Sequence, residues 1–180
     1  MPEEIALFGG SFDPPHVGHL LAAAYVLAVE PVDELWLVPV LAHPLGKQLA
    51  APYHHRVALC EVLARQLPRA RVSRAEEESG QTRTVDLLEH LAGKHPGRRW
   101  ALVLGTDLNG ERSQWKQFER IQQLARVVTV QRGGYTTERG VALPEVSSTQ
   151  VRALLKSGGD ASHLVPRAVL DAIRAAGTYR

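Results

Sequence analysis

With 180 residues the chain is long enough to bury a sizeable core, and its 44% hydrophobic and 22% charged content is that of an ordinary globular protein. A formal net charge of +2 is too small to draw nucleic acid or a membrane surface by bulk electrostatics, so any affinity for anions must come from locally placed groups. The single cysteine, Cys60, excludes an internal disulfide, and no apolar stretch approaches the roughly eighteen residues of a membrane span, so the expectation is a cytosolic protein with one domain over residues 1–180.

In chain order, Ile5 to Phe8 is the first of four short apolar runs that do not alternate with polar residues. Leu35 to Val38, Trp100 to Leu104 and Val127 to Val130 are the others, and Arg71-Val72-Ser73 is a weaker fifth. Strands covered by helices on both faces have this unbroken apolar character. Between them, apolar residues step by three or four: Val17, Leu20, Leu21, Ala24, Leu27; then Val57, Cys60, Leu63, Ala64, Leu67; then Val85, Leu88, Leu91, Ala92. Two more such stripes follow the last strong strand, at Val151, Leu154, Leu155 and at Val169, Leu170, Ile173. Alternating strands and helices predict an α/β fold with a doubly wound parallel sheet, Rossmann-like, with C-terminal helices and with ligands beyond the carboxyl ends of the strands.

The stretch "GGSFDPPHVGHL", residues 9–20, falls at that place after the first strand. Gly9 and Gly10 allow unusual backbone conformations and close approach of a ligand to the main chain, and Pro14 and Pro15 stiffen the turn. His16 and His19 lie three apart at the start of the next helix, where unpaired N–H groups already favour an anion such as phosphate. Near the other end, "VSSTQVRALL", residues 146–155, sets Ser147, Ser148 and Thr149 ahead of a helical stripe, as an N-cap with spare hydroxyls, and Arg152 on the first turn. Hydroxyls, amides and a guanidinium together suit a polyphosphate.

These segments resemble the nicotinate-nucleotide adenylyltransferase family of the nucleotidylyltransferase superfamily. The resemblance lies in His16-Val17-Gly18-His19 behind a small phosphate loop, in Ser147-Ser148-Thr149 with Val151-Arg152, and in "LVPRAVLDAIRAAGTY", residues 164–179, which is similar to that family's C-terminal helix and tail. Intermediate landmarks occur in order: Thr84-Val85-Asp86, then Gly105-Thr106-Asp107, then Trp115. The resemblance implies ATP bound by Gly9, Gly10, Ser11, Phe12, His16, His19, Gly105, Asp107, Ser148, Thr149 and Arg152. It implies an acceptor nucleotide bound by Arg83, Thr84, Asp107, Trp115 and Lys116, and catalysis by His16, His19, Lys47 and Arg152, with Mg²⁺ arriving on ATP and no metal site built by the protein.

Read from the residues alone, Asp107 either accepts hydrogen bonds from a ligand or caps a helix, Trp115 shares a stripe with Phe118, Ile121 and Leu124, and Lys47 is a phosphate contact or a solvated lysine. Arg56, ahead of the second stripe, either reaches a phosphate or lies at the surface. His43, His54 and His55 lack the cysteine or carboxylate company of a zinc site, and Cys60 falls on an apolar face. The chain departs from the family at Thr82-Arg83-Thr84, where Ser/Thr-Tyr-Thr is usual, and at Lys116, where an aromatic is frequent. Both departures lie on the acceptor side, where Arg83 or Lys116 could pair with the carboxylate of nicotinate. The competing readings are a nicotinamide-mononucleotide enzyme, another phosphate-acceptor nucleotidylyltransferase such as one acting on phosphopantetheine or a polyol phosphate, and a non-catalytic nucleotide sensor.

Overall fold

The computed structural model describes residues 3–42, 46, 48–106, 117–131 and 143–180. Five strands are formed: β1 (Glu4–Gly10), β2 (Glu34–Pro39), β3 (Ala70–Val72), β4 (Arg99–Gly105) and β5 (Arg126–Val130). They pair in the order β3-β2-β1-β4-β5, all parallel, with β1 central and the order reversing on either side of it. The apolar runs are strands for the expected reason: along β1, Ala6 and Phe8 face one core while Ile5 and Leu7 face the other, and β2 divides Leu35 and Leu37 from Trp36 and Val38 in the same way. The weak fifth run forms the three-residue edge strand β3, one residue earlier than expected and only half-buried.

Helices α1 (Val17–Val29), α2 (Tyr53–Ala64), α6 (Ser148–Lys156) and α7 (Arg167–Ala176) bury apolar residues in the first core; α3 (Ala75–Ser79), α4 (Thr84–Lys94) and α5 (Phe118–Leu124) cover the second face. The second helix starts and stops earlier than its stripe suggests, since Pro52 opens it and the chain turns at Arg65. The five-residue α3 is too short to show a helical period; it ends at Gly80, whose φ of 67° is a left-handed cap. Cys60 is fully buried in the α1/α2 core, and burial pushes its thiol well above the usual range. Among the described residues no helix is long and apolar enough to cross a membrane.

Candidate active site

The turn leaving β1 is shaped by buried groups. Phe12 is fully buried with φ 46°, in the left-handed region, and its ring lies 4.8 Å from that of His19 and 5.7 Å from that of Phe8. The unusual backbone expected at Gly9 and Gly10 therefore falls on Phe12 instead, because both glycines are still in the extended strand. They serve by lacking a side chain. A Cβ on Gly10 would press on the Phe12 ring at 3.3 Å, whereas one on Gly9 would meet nothing within 4 Å and would stand in open space at the mouth.

His16 is the N-cap of α1 and His19 its third residue, and the two imidazoles are stacked with centroids 3.8 Å apart. The His16 N–H donates to His19 Nδ1 at 3.1 Å, which makes Nδ1 an acceptor and puts the ring proton of His19 on Nε2, where it can be donated. Both histidines are buried. The first amide of α1 is not available to an anion, however: the Val17 N–H donates to the Leu164 carbonyl at 2.8 Å, because the segment before α7 docks onto this helix end.

The C-terminal motif reaches the same turn. Arg152 Nη1 donates to the Asp13 carbonyl at 2.6 Å and Nη2 to Thr149 Oγ1 at 3.2 Å, leaving part of a five-donor fork for a ligand. The hydroxyls expected to be spare are engaged: Ser147 Oγ accepts from the Gln150 N–H as the helix cap, and Ser148 Oγ donates to the Pro14 carbonyl at 2.9 Å. They are used because docking α6 on the phosphate turn takes polar contacts at its first residues.

Three residues that sequence reading did not single out hold the assembly. Asp13, 2% exposed, accepts from the Ala50 N–H at 2.6 Å, the Ala51 N–H at 3.0 Å and the Tyr179 hydroxyl at 2.9 Å. Burial first, and then the charge and hydrogen bond of Asp13, drive the Tyr179 phenol far upward, so it stays a donor. Glu76, on α3, accepts from the Leu41 N–H at 2.7 Å and is raised to about 7 by burial, opposed by that hydrogen bond and by Arg56. A lone carboxylate between Phe12 and Pro14 was the only sequence sign of Asp13; Tyr179 was marked only as the end of a tail similar to the family's, and nothing marks Glu76.

Arg56 is not at the surface, and its donors are turned to main chain. It is 1% exposed and donates to three carbonyls, Ser11 at 2.7 Å, Val40 at 2.8 Å and Ala51 at 3.2 Å, which joins the loops leaving β1 and β2. Burial pulls its pKa down and Asp13 is the chief opposing charge. A cavity of about 370 Å³ opens beside it, lined by Leu41, Leu49, Ala51, Pro52 and Tyr53. A second hollow, about 300 Å³, lies over Trp36 on the α3/α4 face; its cations are already matched, Arg71 with Glu34, Arg74 with Glu61 and Lys94 with Glu78, so it offers no charge for a phosphate.

On the acceptor side, Thr84 opens α4 on the opposite face of the sheet from α1, and Arg83, half-exposed, pairs with Asp86 of the same first turn instead of standing ready for a ligand. Gly105 ends β4 opposite Val130 of β5. Lys47, Asp107, Trp115 and Lys116 lie outside the described residues, as does His43.

A parallel sheet whose order reverses at β1, with an imidazole pair and a guanidinium beyond its carboxyl edge, defines a nucleotide-binding α/β protein of the transferase kind. The model of the cytidylyltransferase-like family matches residues 7–154. A protein of Myxococcus xanthus named as a nicotinate-nucleotide adenylyltransferase is 46% identical over 180 residues, covering 98% of this chain and 94% of its own, and one from Thermus thermophilus is 38% identical, covering 98% and 99%. The chain belongs to the nicotinate-nucleotide adenylyltransferase family, within the cytidylyltransferase-like proteins. The fold agrees: Plasmodium falciparum nicotinic acid mononucleotide adenylyltransferase complexed with NaAD superposes with a TM-score of 0.82 at 20% identity, covering 98% of this chain and 97% of that one, and the same protein complexed with APC gives 0.80.

Proposed function

We propose that the chain transfers AMP from ATP to nicotinate mononucleotide, giving deamido-NAD and pyrophosphate. The observation that carries this reading is the meeting of the His16/His19 pair and Arg152 at one turn, in a chain matched over 98% of its length by relatives of that name. A 5′-phosphate oxygen of the acceptor attacks the α-phosphorus of ATP, the bond from that phosphorus to the bridging α,β-oxygen breaks, and pyrophosphate leaves with the electron pair. The attacking oxygen is already anionic, so no general base is needed and rate comes from alignment and charge neutralisation.

His19, donating from Nε2, and His16 hold α- and β-phosphate oxygens, with Gly9 and Gly10 admitting the nucleotide past Ser11 and Phe12. Arg152 takes the departing pyrophosphate, aided by the first-turn amides of Ser148 and Thr149, which have no acceptor within the helix. Lys47 neutralises charge on the far side of the reacting phosphorus. Gly105 and Asp107 border the nucleotide, and Thr84, Arg83, Asp107, Trp115 and Lys116 serve the acceptor; engagement of Arg83 by Asp86 leaves Lys116 the better partner for a nicotinate carboxylate. The Asp13 carboxylate is occupied by amide and phenol donors, so we assign Mg²⁺ to the ATP phosphates themselves. That ion would neutralise phosphate charge while keeping several waters. We place the enzyme in the cytoplasm, working as one domain.

Pyrophosphate release from ATP with a panel of acceptors tests the reading. Nicotinate mononucleotide should give the highest kcat/KM. A preference for nicotinamide mononucleotide, phosphopantetheine or a polyol phosphate would replace the substrate, and nucleotide binding without release would point to a sensor.

A further inference from the structure

We propose that Tyr179 is a positioning residue of the transfer reaction, acting through Asp13 to set the phosphate turn against the loop that enters α2; this rests on the adenylyl-transfer reading above.

Three observations converge on it. The chain past α7 is bent back by left-handed conformations at Gly177, φ 66°, and at Tyr179, φ 65°, the second being one that residues with a side chain rarely adopt. The Tyr179 side chain is thereby turned inward: the residue is 7% exposed and its hydroxyl lies 2.9 Å from Asp13 Oδ1, 166 positions away in the chain. Asp13 in turn is the point where separate parts of the mouth meet. Its carboxylate takes the Ala50 and Ala51 amides of the loop before α2, its carbonyl takes Arg152 Nη1, and Oδ2 lies 3.8 Å from that same nitrogen.

The Tyr179 hydroxyl itself bonds Asp13 and not a group that grips phosphate, so its role is one of positioning. What the phenol does is add a second donor to Oδ1, which already accepts from the Ala51 amide, and so tighten the tie between the loop that enters α2 and the turn that carries the histidines. With the hydroxyl removed, the ring still fills its place, but Oδ1 keeps only the Ala51 amide and the carboxylate is held less tightly by its two remaining donors, one on each oxygen. A displacement of about 1 Å in groups that grip phosphate can cost about a hundredfold in rate, so the loss should fall on kcat.

The test compares the full chain with Tyr179→Phe, Asp13→Asn and the double variant in pyrophosphate release at 15 °C. Tyr179→Phe should keep the parent's circular dichroism and cooperative melt, lose about tenfold in kcat and keep KM for the acceptor within about twofold. Asp13→Asn, which sets an amide N–H against the Ala50 N–H, should lose about a hundredfold, and the double variant should be no worse, because both changes break one connection. Amide hydrogen exchange gives a readout without activity: Ala50 and Ala51 should lose protection in both single variants. Parental kcat and parental exchange in Tyr179→Phe, with only the melting temperature lowered, would overturn the proposal and leave Tyr179 a packing residue. Multiplicative losses in the double variant would also overturn it. Should Asp13→Asn fail to fold, Tyr179→Phe decides alone. A parent releasing no pyrophosphate with any acceptor is a separate result, which sinks the functional reading before any variant is compared.

Discussion

Arg152 and Asp13, 139 positions apart, are joined by a 2.6 Å hydrogen bond from Nη1 to the backbone carbonyl. The same nitrogen lies 3.8 Å from Asp13 Oδ2, so the guanidinium is both oriented by the main chain and loosely paired with the buried carboxylate. A cation aimed by one carbonyl and one threonine hydroxyl, with N–H groups left over, is preorganised for a second anion.

Arg152→Lys should therefore lose most of the activity that Arg152→Ala loses, since an ammonium keeps the charge but cannot bond Asp13, Thr149 and a phosphate in one planar fork. Both should fall by about two to three orders of magnitude in kcat, as removal of one preorganised donor typically does. Lysine at parental kcat would show that charge alone suffices and that the orientation has no consequence.

His19→Ala removes a donor whose tautomer is set by the His16 amide. The expected outcome is a folded protein with kcat lowered about a hundredfold or more. Parental turnover by the purified variant would sink the assignment of the histidine pair.

The fold was legible because each strand of a doubly covered sheet is apolar on both faces, and β1, β2, β4 and β5 are such runs. His16, His19 and Arg152 were legible because they sit in short motifs with fixed spacing. Asp13, Arg56 and Tyr179 were not, and for a common reason: each has at least one partner 38 to 166 positions away, and a polar group is placed inside only when its partners are present. The engagement of Ser148 had the same origin, since its acceptor, Pro14, belongs to the opposite end of the chain. Of the two reasons for Gly9 and Gly10, unusual backbone and the absence of a side chain, the first falls on Phe12 instead, and the second agrees with the open space at Gly9 and the close Phe12 ring at Gly10. The helix α3 escaped notice because five residues do not display a period.

Arg56→Met should be among the most destabilising single changes. It strips three carbonyls of their donor and removes a buried positive charge. Leaving buried acceptors without a donor costs about 1 to 3 kcal/mol each, a total of at least about 3 kcal/mol, which in a chain of this size lowers Tm by about 10 °C. Calorimetry of the variant checks this; a parental Tm with weakened ATP binding alone would restore Arg56 to the role of a phosphate ligand.

Glu76 provides a pH signature. Its folded-state pKa, about 7, is raised from the ordinary 4.5 chiefly by burial. The folded protein therefore holds this proton more tightly than the unfolded chain, and the resulting stability is complete below about pH 4.5 and lost as pH rises through 7. Glu76→Gln abolishes the titration while keeping an acceptor for the Leu41 amide. The stability of the variant relative to the parent should rise between pH 4 and pH 9, by up to about 3 kcal/mol at about 1.4 kcal/mol per tenfold in proton affinity. Urea melts at a series of pH values measure the difference; a flat difference across that range would remove Glu76 as its source.

Gly9→Ala separates folding from binding at the mouth. Gly9 lies in β1, paired with Val38, and its φ is not left-handed, so alanine meets no conformational penalty there. A Cβ at this position contacts nothing within 4 Å, so the melting temperature should stay within about 2 °C of the parent, as for surface changes of a few tenths of a kcal/mol. The same methyl stands where a nucleotide must pass close to the main chain, so KM for ATP should rise about tenfold or more, the cost of one misplaced contact. Gly10→Ala behaves differently because its methyl presses on the buried Phe12 ring at 3.3 Å, and Phe12 backs His19; it should lower both Tm and kcat. Equal, parental ATP affinity in Gly9→Ala would mean that the nucleotide does not lie over the end of β1, and the phosphate turn would have to be sought elsewhere on the carboxyl edge of the sheet.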